Sequence, residues 1–149
     1  MSYRVVVIYA SVSGNTYTLA QMIYDSLLEE NLVADMLPIN QLTMVDLQKY
    51  DMILIGSYTW GSGEIPKDML PLYKKFEKGE LTRSVTGVFG TGDKCYPYYC
   101  GAVDLFRDML HVHSNLAVTL KIELMPQQKD KENCKRFVEK VLQRVKVRY

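Results

Sequence analysis

The chain lacks the features that mark several large classes of protein. Its 149 residues contain three cysteines, Cys95, Cys100 and Cys134, and no Cys-x-x-Cys pair, which argues against a disulfide framework or structural zinc. The two histidines, His111 and His113, are two positions apart on a predicted helix, so we expect surface or helix-end residues and no metal site. No apolar run approaches the roughly 20 residues of a membrane span, and no signal peptide is recognisable. These absences predict a cytoplasmic protein without a membrane segment.

An excess of one charge is also missing, although the charge is unevenly distributed. The net charge is +1, yet residues 129–149 carry eight basic and three acidic side chains. A basic terminal helix can bind nucleic acid or a membrane, but a solvated helix face with cations near its C-terminus is the simpler interpretation. With 48% hydrophobic and 23% charged residues, the composition is typical of a globular protein. We therefore expect one domain over residues 1–149 and no nucleic-acid partner.

The first unusual stretch is Ser11-Val12-Ser13-Gly14-Asn15-Thr16, which follows an apolar run and precedes an amphipathic segment. It holds three hydroxyls, one amide and one glycine, with no charge. The first N–H groups of a helix are unpaired and carry partial positive charge, which a phosphate can satisfy. Because no lysine is present, this is not the phosphate loop of ATPases and GTPases. The stretch predicts either a site for one phosphate or an ordinary helix cap.

Apolar segments alternate with amphipathic ones along the whole chain, which predicts a parallel sheet covered by helices on both sides. The predicted strands are 4–9, 32–37, 52–55, 85–89 and 116–124. The predicted helices are 16–30, a helix from Pro66 to Gly79 with Met69, Leu70, Tyr73 and Phe76 inward, 102–112 and 130–145. Right-handed crossovers then place the loops after the first, third and fourth strands at one edge of the sheet, where open α/β sheets bind ligands.

The other two of these loops are rich in glycine and aromatic residues. Residues 56–65 contain three glycines and the only tryptophan, Trp60, while residues 90–101 contain Tyr96, Tyr98 and Tyr99. Trp60 lies among glycines and polar residues, which favours ligand stacking over a place in the core. Aromatic rings suit a flat conjugated ligand, and glycines let the backbone approach its edge. One phosphate and one flat ring system together predict a mononucleotide-like cofactor.

These motifs resemble those of the flavodoxins over the whole chain. SVSGNT resembles the flavodoxin phosphate loop, SYTWGSGEIP the second flavin loop and GTGDKCYPYYCGAVDLF the third, in the correct order and spacing. The length, and a fifth strand without an extra segment, resemble the short-chain subgroup. The resemblance implies a flavodoxin-like three-layer α/β/α sandwich with a five-stranded parallel sheet of order 2-1-3-4-5, and FMN where that order reverses.

The resemblance also implies how the cofactor would be held. The first loop would hold the phosphate, with Thr59 adding a contact, while Trp60 and Tyr96 would cover the inner and outer faces of the isoalloxazine. Asp93, Tyr98 and Cys100 would line the pyrimidine edge, and the Gly61 carbonyl would turn toward flavin N5 after one-electron reduction. The full predicted set is Ser11, Val12, Ser13, Gly14, Asn15, Thr16, Tyr58, Thr59, Trp60, Gly61, Ser62, Thr91, Gly92, Asp93, Tyr96, Tyr98, Tyr99 and Cys100.

The implied function is electron transfer, in which the cofactor performs the redox chemistry. A monomer would take electrons from a flavodoxin/ferredoxin-NADP reductase and pass them to acceptor redox enzymes. It would work at low potential through the semiquinone/hydroquinone couple. The alternatives are a flavoenzyme on the same scaffold or a dedicated activator flavoprotein, for example for a ribonucleotide reductase.

Two departures from the family pattern lead to a further expectation. Ser62 stands where many flavodoxins have aspartate, and the net charge is +1 where the family is acidic. One carboxylate fewer near a reduced, anionic flavin would relieve roughly 1 kcal/mol of repulsion, so we expect a less negative lower potential. Cys95 and Cys100 could form a redox pair, but the resemblance favours two loop cysteines.

Overall fold

Five parallel strands form the centre of the computed structural model, which describes residues 3–147. Their order is β2-β1-β3-β4-β5, and every neighbouring pair is parallel. This confirms the predicted order and topology. The strands are β1 (Arg4–Tyr9), β2 (Val33–Pro38), β3 (Met52–Gly56), β4 (Val85–Gly92) and β5 (Asn115–Glu123).

The helices cover both faces of the sheet and give the predicted three layers. The helices are α1 (Asn15–Glu29), α2 (Leu70–Glu77), α3 (Gly101–His113) and α4 (Lys131–Lys146), with short 3-10 turns at Ile39–Met44, Leu47–Lys49, Lys67–Met69 and Gln128–Asp130. One core joins α1 and α4 to the sheet, and the other joins α2 and α3 to its opposite face. Successive β1 residues therefore enter opposite cores, so Val5 to Ile8 are all fully buried, as an unbroken apolar run requires in a doubly covered sheet.

The prediction that a helix begins at Pro66 is wrong. A 3-10 turn occupies Lys67–Met69, and α2 begins only at Leu70. The cause is Pro71, which has no N–H and could not donate to the carbonyl four residues earlier in a longer helix. Of the residues predicted to face inward, Met69 and Phe76 are fully buried but Leu70 is only partly buried, while Leu72, which was not among them, is fully buried.

The prediction that the fourth strand ends at Phe89 is also wrong, because β4 continues through Gly92. Its last three residues pair with Lys121, Ile122 and Glu123 of β5. Glycines in this segment favour a loop when the sequence is considered alone, but here they permit close packing, because a Cβ on Gly90 would clash with the Ser57 carbonyl oxygen. Since β4 ends at Gly92, the third loop begins at Asp93.

The described residues contain neither a membrane-spanning helix nor a metal-binding cluster of side chains. Between residues 3 and 147, no helix has the length and apolar character needed to cross a bilayer. The same residues contain no cluster of three or more histidine, cysteine or acidic side chains placed to hold a metal. His111 is exposed and His113 is partly exposed at the end of α3.

Candidate functional site

A cavity of about 640 Å³ lies at the carboxyl edge of the sheet. Its volume is within the range of small-molecule and cofactor sites. The loops after β1, β3 and β4 form its walls, as the topology requires. The cavity is lined by Val12, Ser13, Asn15, Tyr58, Thr59, Trp60, Gly61, Ser62, Gly63, Thr91, Gly92, Asp93, Tyr96, Pro97, Tyr98, Tyr99, Cys100 and Leu124.

The first loop presents an open, uncharged helix N-terminus. Gly14 precedes α1 with a left-handed φ of 93°, and a Cβ built there would meet nothing within 4 Å. The Ser11 hydroxyl accepts hydrogen bonds from the N–H groups of Gly14 and Tyr17, each at 3.2 Å. No acidic residue lies in the first turn of α1. The loop is thus internally braced and suited to an anion.

Thr16 connects this loop to the sheet. Its side chain is only 2% exposed, and its hydroxyl lies 3.2 Å from the hydroxyl of Thr91 near the end of β4. A buried hydroxyl needs a partner to offset the loss of water, and these two residues supply one another. The Thr16 side chain therefore lies beneath the loop, and Thr91 forms part of the cavity wall.

The second loop is a tight turn that holds Trp60 at the cavity rim. Trp60 and Glu64 exchange two backbone hydrogen bonds of 2.8 and 2.7 Å. Between them, Gly61 and Gly63 have φ values of 52° and 99°, which glycine adopts at little cost. The Trp60 ring is 56% exposed. A large aromatic side chain with no place in the core is therefore available for stacking.

The second and third loops are packed tightly against each other. A Cβ on Gly63 would lie 2.6 Å from Cβ of Tyr98, and one on Gly101 would lie 2.7 Å from Cα of Gly63. The Thr59 hydroxyl accepts a hydrogen bond of 3.2 Å from the N–H of Ala102 in the first turn of α3. Glycine at these contacts and the threonine cap hold the two cavity walls at a defined separation.

The third loop carries exposed tyrosines and one buried thiol. Tyr96 is 69% exposed and Tyr98 is 62% exposed. Cys100 precedes α3 in a left-handed conformation with φ of 52°, and its thiol donates to the Gly90 carbonyl oxygen at 3.8 Å. Burial raises the pKa of this thiol to about 11, so it stays protonated at neutral pH. It is a free thiol and so is the exposed Cys95.

The structure brings together most of the residues that the sequence singled out. All of them line the cavity except Ser11, Gly14 and Thr16, which belong to the same phosphate-loop motif. Their contacts with a cofactor stay predictions. Sequence reasoning missed Gly63, Pro97 and Leu124 among the lining residues; the first two lie within recognised motifs. No local pattern in the sequence predicts that Leu124 lines the cavity. It lies there because its backbone N–H donates a hydrogen bond of 2.7 Å to the Gly92 carbonyl oxygen.

The chain is similar to flavodoxins in both sequence and structure. Residues 7–137 match the family model described as Flavodoxin. Probable flavodoxin 1 of Bacillus subtilis (strain 168) is 41% identical over 138 residues, covering 90% of this chain and 87% of that protein. The crystal structure of oxidised Flavodoxin 1 from Bacillus cereus is 34% identical with a TM-score of 0.82, covering 94% of this chain and 97% of that one. A short-chain flavodoxin associated with a non-canonical PDU bacterial microcompartment is 30% identical, with a TM-score of 0.87 and coverage of 96% and 99%.

The fold and the cavity define a doubly wound α/β protein with a cofactor site at the carboxyl edge of its sheet. The chain belongs to the flavodoxin family. It is a short-chain, FMN-binding electron carrier and not an enzyme. The alternative of a flavoenzyme or dedicated activator is not favoured.

Proposed function

We propose that this flavodoxin carries single electrons at low potential from an NADP-linked flavodoxin/ferredoxin reductase to acceptor redox enzymes. The observation that carries the proposal is the placement of an uncharged anion-binding loop, Trp60 and Tyr96 around one cavity. We further propose that the chain acts as one FMN-binding domain, a monomer in the cytoplasm. Its three free thiols are compatible with a reducing compartment.

The phosphate end of FMN would lie on the first loop. Ser13 and Asn15, which carry a hydroxyl and an amide, line the cavity, and the helix N-terminus supplies partial positive charge. Because the Ser11 hydroxyl already accepts hydrogen bonds from two backbone N–H groups, we propose that it shapes the loop in the free protein. Phosphate oxygens would replace part of this hydrogen bonding when FMN binds. These neutral donors fit a single phosphate and need no lysine or metal.

The ring system would lie between Trp60 and the tyrosines of the third loop. Both walls are aromatic and exposed, so stacking would remove apolar surface from water on each side. The tight packing of Gly63 against Tyr98 sets the distance between the walls in advance. Preorganisation of this kind lowers the ordering cost of binding.

The Gly61 peptide is the part of the chain that can respond to reduction. Its φ is 52°, and the nearest atom to a Cβ built there is a Glu64 carboxylate oxygen at 3.7 Å. Glycine gives this peptide freedom to rotate, so its carbonyl oxygen could accept a hydrogen bond from the N5–H of a reduced flavin. FMN would supply the one-electron chemistry, and the residues around it would determine which charge state of the flavin is favoured.

An anaerobic reductive titration of the purified protein, followed by absorbance, tests the proposal. We expect a yellow protein with one FMN per chain that accumulates a blue, neutral one-electron-reduced form before full reduction. Oxidation of NADPH should require an added reductase. A colourless protein that does not bind FMN would refute the cofactor assignment, and steady NADPH turnover by the protein alone would identify an enzyme.

The roles of the two walls can be tested separately from folding. Trp60→Ala should weaken FMN binding strongly and leave the thermal stability of the apoprotein nearly unchanged, because its ring is largely exposed. Val112→Ala is the control for an exposed apolar side chain, since Val112 lies on α3 and is not among the residues that line the cavity. Equal affinities of the two variants would contradict stacking by Trp60.

A further inference from the structure

Tyr99 stands between the proposed cofactor site and two lysines. It lines the cavity and is only partly exposed. The ammonium nitrogens of Lys94 and Lys121 each lie 5.8 Å from the centre of its ring, within the range of cation–π contacts. Two ammonium groups therefore lie against the ring of a residue that lines the site.

The two lysines are held very differently. Lys121 extends from β5 and forms an ion pair with Asp104 of α3, with its Nζ 2.8 Å from one carboxylate oxygen and 3.0 Å from the other. The side chains of the pair are 31% and 35% exposed. Lys94 lies on the exposed third loop, and only its backbone N–H is bonded, to Glu123 at 3.3 Å. Lys121 is therefore the cation with a defined position.

Negative groups also face this wall, so the balance of charge must be considered. Asp104 accepts from both Lys121 and Arg107, the latter at 3.0 Å, and the carboxylates of Glu123 and Asp130 act on Tyr99. The Lys121 ammonium nitrogen nevertheless lies 5.8 Å from the centre of the Tyr99 ring, which lines the cavity, and it acts to lower the pKa of the Cys100 thiol there, which Asp104 acts to raise. Burial is the largest influence on that thiol.

We propose that Lys121 is a positioning and tuning residue, which holds positive charge behind Tyr99 and makes the lower one-electron potential of bound FMN less negative. This rests on the proposed function. The second electron arrives from the reductase without an accompanying proton, so the site must accept one additional negative charge. A fixed cation favours that charge and has less effect on the preceding step, in which an electron and a proton are both taken up.

Removing Lys121 acts in one direction only. The variant loses one positive charge, which is also a counter-ion of Asp104, so the electrostatic potential at the cavity wall becomes more negative. Lys121→Met should therefore weaken binding of fully reduced FMN about fivefold relative to the one-electron-reduced form, the scale of a unit charge several ångströms away at an effective dielectric of about 20 to 80. At about 59 mV for each factor of ten, the lower potential becomes about 40 mV more negative.

The measurement is an anaerobic titration that determines both midpoint potentials, together with the dissociation constant of oxidised FMN. Lys121→Arg should keep the wild-type lower potential, because the charge remains. Lys75→Met is the matched control, since Lys75 is exposed on α2 and does not line the cavity. Equal lower potentials in Lys121→Met and Lys75→Met would overturn the proposal. It would also be overturned if Lys121→Met shifted the upper and the lower midpoint potentials by the same amount.

A variant of opposite sign separates charge from structure. Asp104→Asn removes a carboxylate and keeps Lys121, so the lower potential should become less negative, and the double variant Lys121→Met with Asp104→Asn should return toward the wild type. If Lys121→Met does not fold, Lys121→Gln removes the same charge, and a lower potential that is unchanged or less negative overturns the proposal. A wild type that binds no FMN refutes the proposed function, whereas a normal carrier with an unaltered Lys121→Met potential refutes only this inference.

Discussion

Replacing Thr59 by valine removes the hydroxyl that joins two walls of the cavity. That hydroxyl accepts the Ala102 N–H at 3.2 Å, close to the N-terminus of α3. Cys100, the residue that precedes the helix, makes no side-chain capping bond. Thr59 therefore performs the capping role from a position 43 residues away in sequence. Valine has nearly the same shape but no acceptor, so the variant isolates the hydrogen bond.

The size of the effect follows from measured capping energies. Loss of a capping side chain costs about 1 kcal/mol, within a range of about 0.5 to 2. For a protein of this length, about 1 kcal/mol lowers Tm by roughly 2 to 4 °C. If the same free energy must be supplied when FMN orders the loops, the dissociation constant rises about fivefold.

The assay is thermal unfolding of the apoprotein, followed by fluorescence titration with FMN. Thr59→Ser keeps the acceptor and should unfold near the wild-type temperature. Thr119→Val is the matched control, because Thr119 is exposed on β5, where substitutions change stability by less than about 0.5 kcal/mol. If Thr59→Val and Thr59→Ser have the same Tm, the hydroxyl does not stabilise the joined loops and the reasoning is refuted.

Three further predictions concern Ser62, Gly63 and the three thiols. Ser62→Asp adds a carboxylate at the cavity, so the lower potential should become about 40 mV more negative, from roughly 1 kcal/mol of repulsion; an unchanged potential would contradict it. Gly63→Ala, whose Cβ would lie 2.6 Å from Tyr98, should unfold at a lower temperature than Gly79→Ala, where φ is 82° and the space is open; equal losses would exclude the clash. An aromatic disulfide reagent should modify one thiol of native apoprotein, Cys95, and three after denaturation. Because burial raises the pKa of the Cys100 and Cys134 thiols to about 11, the free energy of unfolding should fall as the pH rises above about 9, the ordinary pKa of a thiol. A free energy of unfolding that stays constant from pH 8 to 11 would contradict this.

Local patterns were sufficient where each segment is governed by its own sequence. The apolar run at Val5 to Ile8 has one stable solution, a strand covered on both faces, and the alternation of strands and helices then predicted a parallel sheet. The order of the strands was implied only by the resemblance to flavodoxins. Trp60 among glycines indicated a rim position, and the ring is indeed exposed. The predicted start of α2 was wrong although its cause, Pro71, is local in sequence. The predicted end of β4 was wrong for a tertiary reason, because β5 pairs with glycines that otherwise favour a loop.

The sequence by itself determined the strands, the three glycine- and hydroxyl-rich loops and the edge of the sheet at which they meet, because periodicity and turn chemistry act over a few residues. Only the tertiary structure decided how those loops are joined. Thr16 meets Thr91 across 75 positions, and Thr59 caps a helix 43 positions away. Lys121 is fixed behind Tyr99 by Asp104. Such contacts depend on the paths of separate segments through space, so no local pattern in the chain could predict them.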